Sequence, residues 1–175
     1  MNQISTLNLA QTVALLKSTP QTLRYLLSPL EPDILCWHPA QNEWCINEIV
    51  GHLTESDHHS FAVPIQTLLA QDWPELEGWD PNAAVSGRND HERDLAELLT
   101  EFEMARQENV LLISELRPGQ LARDGIHPQV GELQVVDFIY QWVYHDCNHI
   151  KQILSNIQLA AWPKMGNIRH FAPPR

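Results

Sequence analysis

Two histidines stand four residues apart near the end of the chain, in His145-Asp146-Cys147-Asn148-His149. On a helix this spacing puts both imidazoles on one face, with Cβ atoms about 5–6 Å apart, where they can share one metal ion. At 100° per residue they fall in the stripe of Phe138, Trp142 and Ile153, so both are expected to point inward. Buried and unpaired, two imidazoles carry a desolvation cost that a cation relieves; the alternative is a pair of ordinary core or surface histidines. Cys147 lies roughly 200° round the helix from His145, so one ion cannot meet both, and the thiol reads as structural.

A third ligand must come from another segment. His52, in Asn47-Glu48-Ile49-Val50-Gly51-His52-Leu53, is the best placed if its helix runs antiparallel to the one bearing His149. Gly51 weakens that helix but allows a close backbone approach. Glu55, His58 and His59 are rivals: Glu55 is expected to face solvent, His58 and His59 to be exposed or at a pocket rim. Asp57 and Asp146 sit near the centres of their apolar stripes. Either could take the second N–H of a ligating imidazole or act as a general base; equally, either could be a buried carboxylate bound to backbone or arginine. Arg106 and Asn109 also face inward, and Arg106 could pair with one of these carboxylates or hold an anionic substrate.

Four segments of helical period must position these groups: residues 6–28, 46–71, 93–116 and 134–159. Thr19-Pro20 reads as an N-cap followed by proline at a first helical position, so the first segment is expected to be two helices or one broken one. Four amphipathic helices bury their stripes most simply as an all-α four-helix bundle over residues 1–160, with 161–175 as a tail. The connection 72–92 is rich in Pro, Gly, Asp and Asn and long enough to run back along a helix. Helices two and three would then be parallel, in an up-down-down-up order, and Asp72-Trp73-Pro74 to Trp79-Asp80-Pro81 would approach the histidines as part of a lid. Residues 123–133 suggest a hairpin-like turn before the last helix. In this topology His127-Pro128 lies at the end remote from His52 and reads as structural.

Composition narrows the function. The 175 residues are 43% apolar and 19% charged, ordinary for one globular domain. A formal charge of −11 disfavours nucleic acid, whose binders carry basic stripes. No stretch approaches the roughly 18 apolar residues of a membrane span, and Met1-Asn2-Gln3-Ile4 lacks the features of a signal peptide, so a cytoplasmic protein with reduced thiols is expected. No acidic residue follows Asp146, which leaves +4 beyond it and −15 before it. With Trp73, Trp79 and Trp162 outside the stripes, that asymmetry suggests a homodimer, the alternative being a tail folded on its own subunit.

Taken together, Trp37-x-Pro39, Trp44-Cys-Ile-Asn-Glu-Ile-Val-Gly-His52-Leu-Thr-Glu-Ser-Asp57, Gly125-Ile-His127-Pro128 with Gly131-Glu132, and His145-Asp146-Cys-Asn148-His149-Ile-Lys-Gln152 resemble the DinB/YfiT-like superfamily, in register from about residue 10 to 160. The resemblance implies a four-helix bundle with one divalent ion on His52, His145 and His149. It further implies a thiol-dependent S-transferase, isomerase or hydrolase acting on a small molecule, with a low-molecular-weight thiol as cosubstrate. The ion would be zinc or nickel, or else iron, since all three suit three imidazoles. Three such ligands leave positions open, as catalytic rather than closed structural sites do; the competing reading is a non-catalytic metal- or ligand-binding stress-response bundle. Cys45 and Gln134 depart from the family's usual helix-capping residues, leaving the ligands intact.

Overall fold

The computed structural model describes residues 5–80, 85 and 87–172; Met1 to Ile4, residues 81–84 and 86 of the connection, and residues 173–175 lie outside the described residues. Four long helices form the body. Helix α1 spans Leu9–Leu27. Helix α2 is a composite: Ile46–Ser56, a π-helical turn Asp57–Ala62, and Val63–Ala70, with helical dihedrals throughout. Helix α3 is Leu95–Ser114 and α4 Val135–Ala161. A two-stranded antiparallel hairpin, β1 (Asp124–His127) and β2 (Gly131–Gln134), precedes α4.

Side-chain pairings fix the directions. Arg24 meets Glu103 while Arg106 meets Leu16, so α1 and α3 are antiparallel. Asn47 meets Arg93 and Asp57 meets Arg106, so α2 and α3 are parallel. Trp44 meets Asn156 and Asp57 meets Trp142, so α2 and α4 are antiparallel. The order is therefore up-down-down-up. Its apolar interior falls into two clusters, one around Phe61, Ile65, Phe138, Ile139 and Trp142, the other around Leu23, Ile46, Ile49, Leu53, Leu98, Phe102 and Ile153.

Two local irregularities follow from proline. Contrary to the expectation of a break at Thr19-Pro20, α1 is a single helix with Pro20 inside it. Proline has no N–H, which frees the carbonyl four residues back. That carbonyl, Leu16 O, accepts instead from Arg106 Nη1 at 2.9 Å, so the lost helical bond is replaced from a neighbouring helix. In α2, Pro64 likewise cannot donate, and the turn before it widens until Val63 N–H reaches His58 O five residues back.

Because α2 and α3 are parallel, the connection between them must return along the bundle. Its first residues bond to the hairpin: Leu76 N–H donates to Ile126 O at 2.8 Å and Ile126 N–H to Pro74 O at 2.9 Å. Further on, Arg88 binds Glu55 at 2.7 Å, Asp90 at 2.6 Å and Glu101 at 2.9 Å, and Arg93 binds Asp90 and Glu101. These charges fasten the end of the connection to α2 and α3. Glu55, expected to face solvent, is half-buried in this network. After α4 the chain continues in short helical turns over Trp162–Phe171, kinked at Gly166. There Trp162 packs on Arg169 and donates to Ala172 O at 2.7 Å, so this indole is satisfied within the tail itself. Among the described residues no helix is long and apolar enough to cross a membrane.

Candidate metal centre

Helix α2 presents His52 and α4 presents His145 and His149, and the antiparallel packing brings the three together. One nitrogen of each ring lies within 4.8 Å of the others, and Nε2 of His52 stands 3.1 Å from Nε2 of His145. Ring centroids are 4.4 Å apart for His52–His149 and His145–His149, and 5.2 Å for His52–His145. Aromatic side chains wall the cluster. Trp44 lies against His52 at 4.7 Å and His149 at 6.2 Å, Trp79 stacks on His52 at 6.2 Å and 11°, and Phe61 meets His145 edge-on at 5.3 Å.

Burial, and then the neighbouring imidazoles, push His52 down to about 3; burial, His149 and Arg106 do the same to His145. Burial also lowers His149. All three are therefore neutral near pH 7, the form in which imidazole lone pairs bind a cation. His149 Nδ1 pairs with Gln152 Oε1 at 3.0 Å, a partner that turns the other nitrogen of the ring toward the cluster. Among the described residues, Nδ1 of His52 and Nδ1 of His145 are buried with no hydrogen-bond partner. Each such orphan costs about 1–3 kcal/mol. A divalent ion fits this donor set, because two imidazole nitrogens on one ion at about 2.0–2.1 Å stand close to the observed separation.

The two central carboxylates do different work. Arg106, fully buried, donates to Asp57 from Nε and Nη2 at 2.7 Å each, and to Asp146 from Nη1 at 2.6 Å and Nη2 at 3.0 Å. Trp142 Nε1 adds a bond to Asp57 Oδ1 at 2.9 Å, and Thr19 Oγ1 one to Asp146 Oδ2 at 2.7 Å. Every carboxylate oxygen of the pair thus accepts from Arg106, Trp142 or Thr19. Asp57 and Asp146, candidates for an imidazole partner or a base, are held in an ion triad one layer away from the histidines. Asn109 Nδ2 completes it by binding Asp57 O at 3.1 Å.

The rival ligands are elsewhere. Glu55 binds Arg88, and Cys147 is exposed. His58 and His59 are exposed, and His59 stacks on Trp79 at 5.5 Å. Trp79, read as a possible partner surface as well as a lid residue, lies over His52 and His59. It also helps line a crevice of about 440 Å³ whose other walls include His59, Pro64, His127, Leu133, Phe138 and Gln141. His127, placed at the far end by the sequence, reaches this crevice because the hairpin folds along the returning connection. Trp79 thus stands against the histidines, as expected of the segment that carries it, whereas Gln152 orients His149 without having been assigned that duty from the sequence; only its i, i+3 spacing from His149 could have signalled it.

A four-helix bundle with a returning connection and three facing histidines defines a class, and the DinB superfamily model matches residues 15–153. The chain belongs to the DinB superfamily. Among solved structures it is similar to YfiT from Bacillus subtilis, with a TM-score of 0.80 and 18% sequence identity over 93% of each chain. That protein is described as "a probable metal-dependent hydrolase with an unusual four-helix bundle topology". No curated protein matches the sequence.

Proposed function

We propose that this chain is a metal-dependent enzyme acting on small molecules, a hydrolase or a thiol-dependent S-transferase. The observation that carries the reading is the convergence of three neutral imidazoles, with Nε2 of His52 and Nε2 of His145 3.1 Å apart, beside a walled crevice. His52, His145 and His149 would hold one divalent ion, zinc, nickel or iron. Such an ion, when bound, lowers the pKa of water or of a thiol and so supplies a nucleophile near neutral pH.

The protein's own groups do the rest. Trp44, Trp79 and Phe61 shield the histidines from solvent, which strengthens electrostatic interactions at the site. Gln152 fixes the orientation of His149. Phe138, Leu133 and Pro64 offer the crevice an apolar floor for the substrate's carbon skeleton, and Trp79 joins that floor to the histidines. The similarity to YfiT supports the hydrolase form of the proposal.

Elemental analysis of protein made without a polyhistidine tag comes first. Loaded with each metal in turn, the protein is then assayed against ester and amide panels, and against electrophiles paired with low-molecular-weight thiols. Turnover that needs the metal and disappears in His149→Ala supports the proposal. Stoichiometric metal with no turnover on either panel favours the non-catalytic bundle.

A further inference from the structure

A second group of metal-binding side chains lies outside the first. Glu48, in the opening turn of α2, is largely buried; it binds one imidazole and faces a second. Its Oε2 is 2.8 Å from His38 Nε2 and accepts the Cys45 backbone N–H at 2.9 Å. Its Oε1 is 3.8 Å from His91 Nδ1. The His38 and His91 rings meet edgewise at 6.1 Å. Donor atoms of His38, Cys45 and Glu48 all lie within 4.8 Å of one another.

We propose that His38, Glu48 and His91, with the Cys45 thiol beneath them, form a second divalent-cation site of zinc type. The donor chemistry selects the cation: two imidazoles, one carboxylate and a sulfur suit a borderline ion and not magnesium or calcium, which prefer oxygen. The far nitrogen of His91 faces Glu92 Oε1 at 3.7 Å, a carboxylate placed to orient the ring. His38 and His91 are solvent-exposed at their edges, so both rings can turn onto an ion at little cost, while Glu48 and Cys45 are held by the helix start. Burial pushes the free Cys45 thiol up to about 12, so it is protonated until an ion binds; coordination then releases its proton to solvent and leaves the thiolate on the metal.

The three residues come from the segment before α2, from α2 itself and from the end of the returning connection. An ion here would tie that connection to α2 one helical turn from His52, on the same helix as the first centre. The proposal rests on its own ligands and stands whether or not the first centre is catalytic.

The test uses the whole chain, stripped of metal and titrated with zinc under equilibrium dialysis with elemental analysis. Wild type should take up two equivalents. His145→Gln/His149→Gln should keep one, and adding His38→Gln or His91→Gln to it should weaken that one by about tenfold or more. These last two residues are exposed, and a cobalt titration of wild type gives an independent readout: the second equivalent should show a thiolate charge-transfer band that Cys45→Ser removes. A single equivalent in wild type overturns the site, as does uptake indifferent to His38→Gln and His91→Gln. A cobalt spectrum unchanged by Cys45→Ser overturns the thiol as ligand.

Discussion

The bundle has two polar centres in its interior, one layer apart, and they are built on opposite principles. Around Arg106 every charge is answered: the guanidinium meets two carboxylates and the Leu16 carbonyl, and Trp142 and Thr19 take up what remains. Around His52, His145 and His149 the accounts stay open, with nitrogens of like chemistry crowded together and two Nδ1 atoms lacking partners. A closed network holds helices in register. An open one is strained alone and relaxed by a ligand, which is how a site differs from a brace made of similarly buried groups.

On this contrast the largest effect comes from breaking the closed centre. Arg106→Met strands Asp57 and Asp146 as neighbouring buried carboxylates, and removing one partner of a buried ion pair typically costs about 3–5 kcal/mol. That is a large part of a domain's total stability of roughly 5–15 kcal/mol. Chemical denaturation should show the loss equally with and without metal. A midpoint close to wild type would mean that Arg106 does not brace the helices.

The next effect should depend on metal. With free ion at 100 times its Kd, binding adds about 2.7 kcal/mol to stability. His149→Ala should forfeit that increment in metal-replete buffer and lose the equivalent held by His52, His145 and His149, yet unfold near wild type in chelator. A variant equally destabilised in chelator would place His149 with the structural residues. A third outcome concerns pH in the chelated protein. His52 and His145 are neutral in the fold down to about 3 against an ordinary 6.5, so between those values the unfolded chain binds more protons. Stability is therefore complete above about pH 6.5 and falls as pH drops toward 3. Denaturation of metal-free protein from pH 7.5 to 5 should show this decline, and His52→Gln should flatten it.

The parts legible in the sequence were those governed by a local period. The i, i+4 spacing and apolar stripe located His145 and His149, and helix length with a long connection sufficed for up-down-down-up. What stayed ambiguous depended on partners distant in sequence. Asp57 and Asp146 lie at their stripe centres either as partners of histidine or of arginine, and only the reach of Arg106 from α3 decides. Pro20 removes a donor, which locally argues for a break; the helix continues because Arg106 supplies one. Glu55 looked solvent-facing since Arg88, 33 residues away, has no periodic relation to it. The length and direction of the connection bring the segment of Trp79 to the histidines, but that segment has no helical or strand period, so nothing local sets the angle of the ring on His52.

The smallest expected change tests whether the open centre depends on the closed network that fastens the returning connection beside it. Gly51 precedes His52 on α2, and a Cβ built there would lie 1.8 Å from Asp90 Oδ2 and 3.2 Å from Arg88 Nε. Alanine raises intrinsic helix stability by about 1 kcal/mol, but overpacking of this kind costs about 1–3 kcal/mol. Asp90 cannot swing away freely, because it is fully buried and paired with Arg88 and Arg93. Gly51→Ala should therefore be destabilising by about 1 kcal/mol on balance. Metal at His52, His145 and His149 should stay stoichiometric, since the imidazoles are carried by α2 and α4 and not by the connection. Loss of that metal in Gly51→Ala would show that the connection, through Trp79 stacked on His52, helps to hold the open centre together.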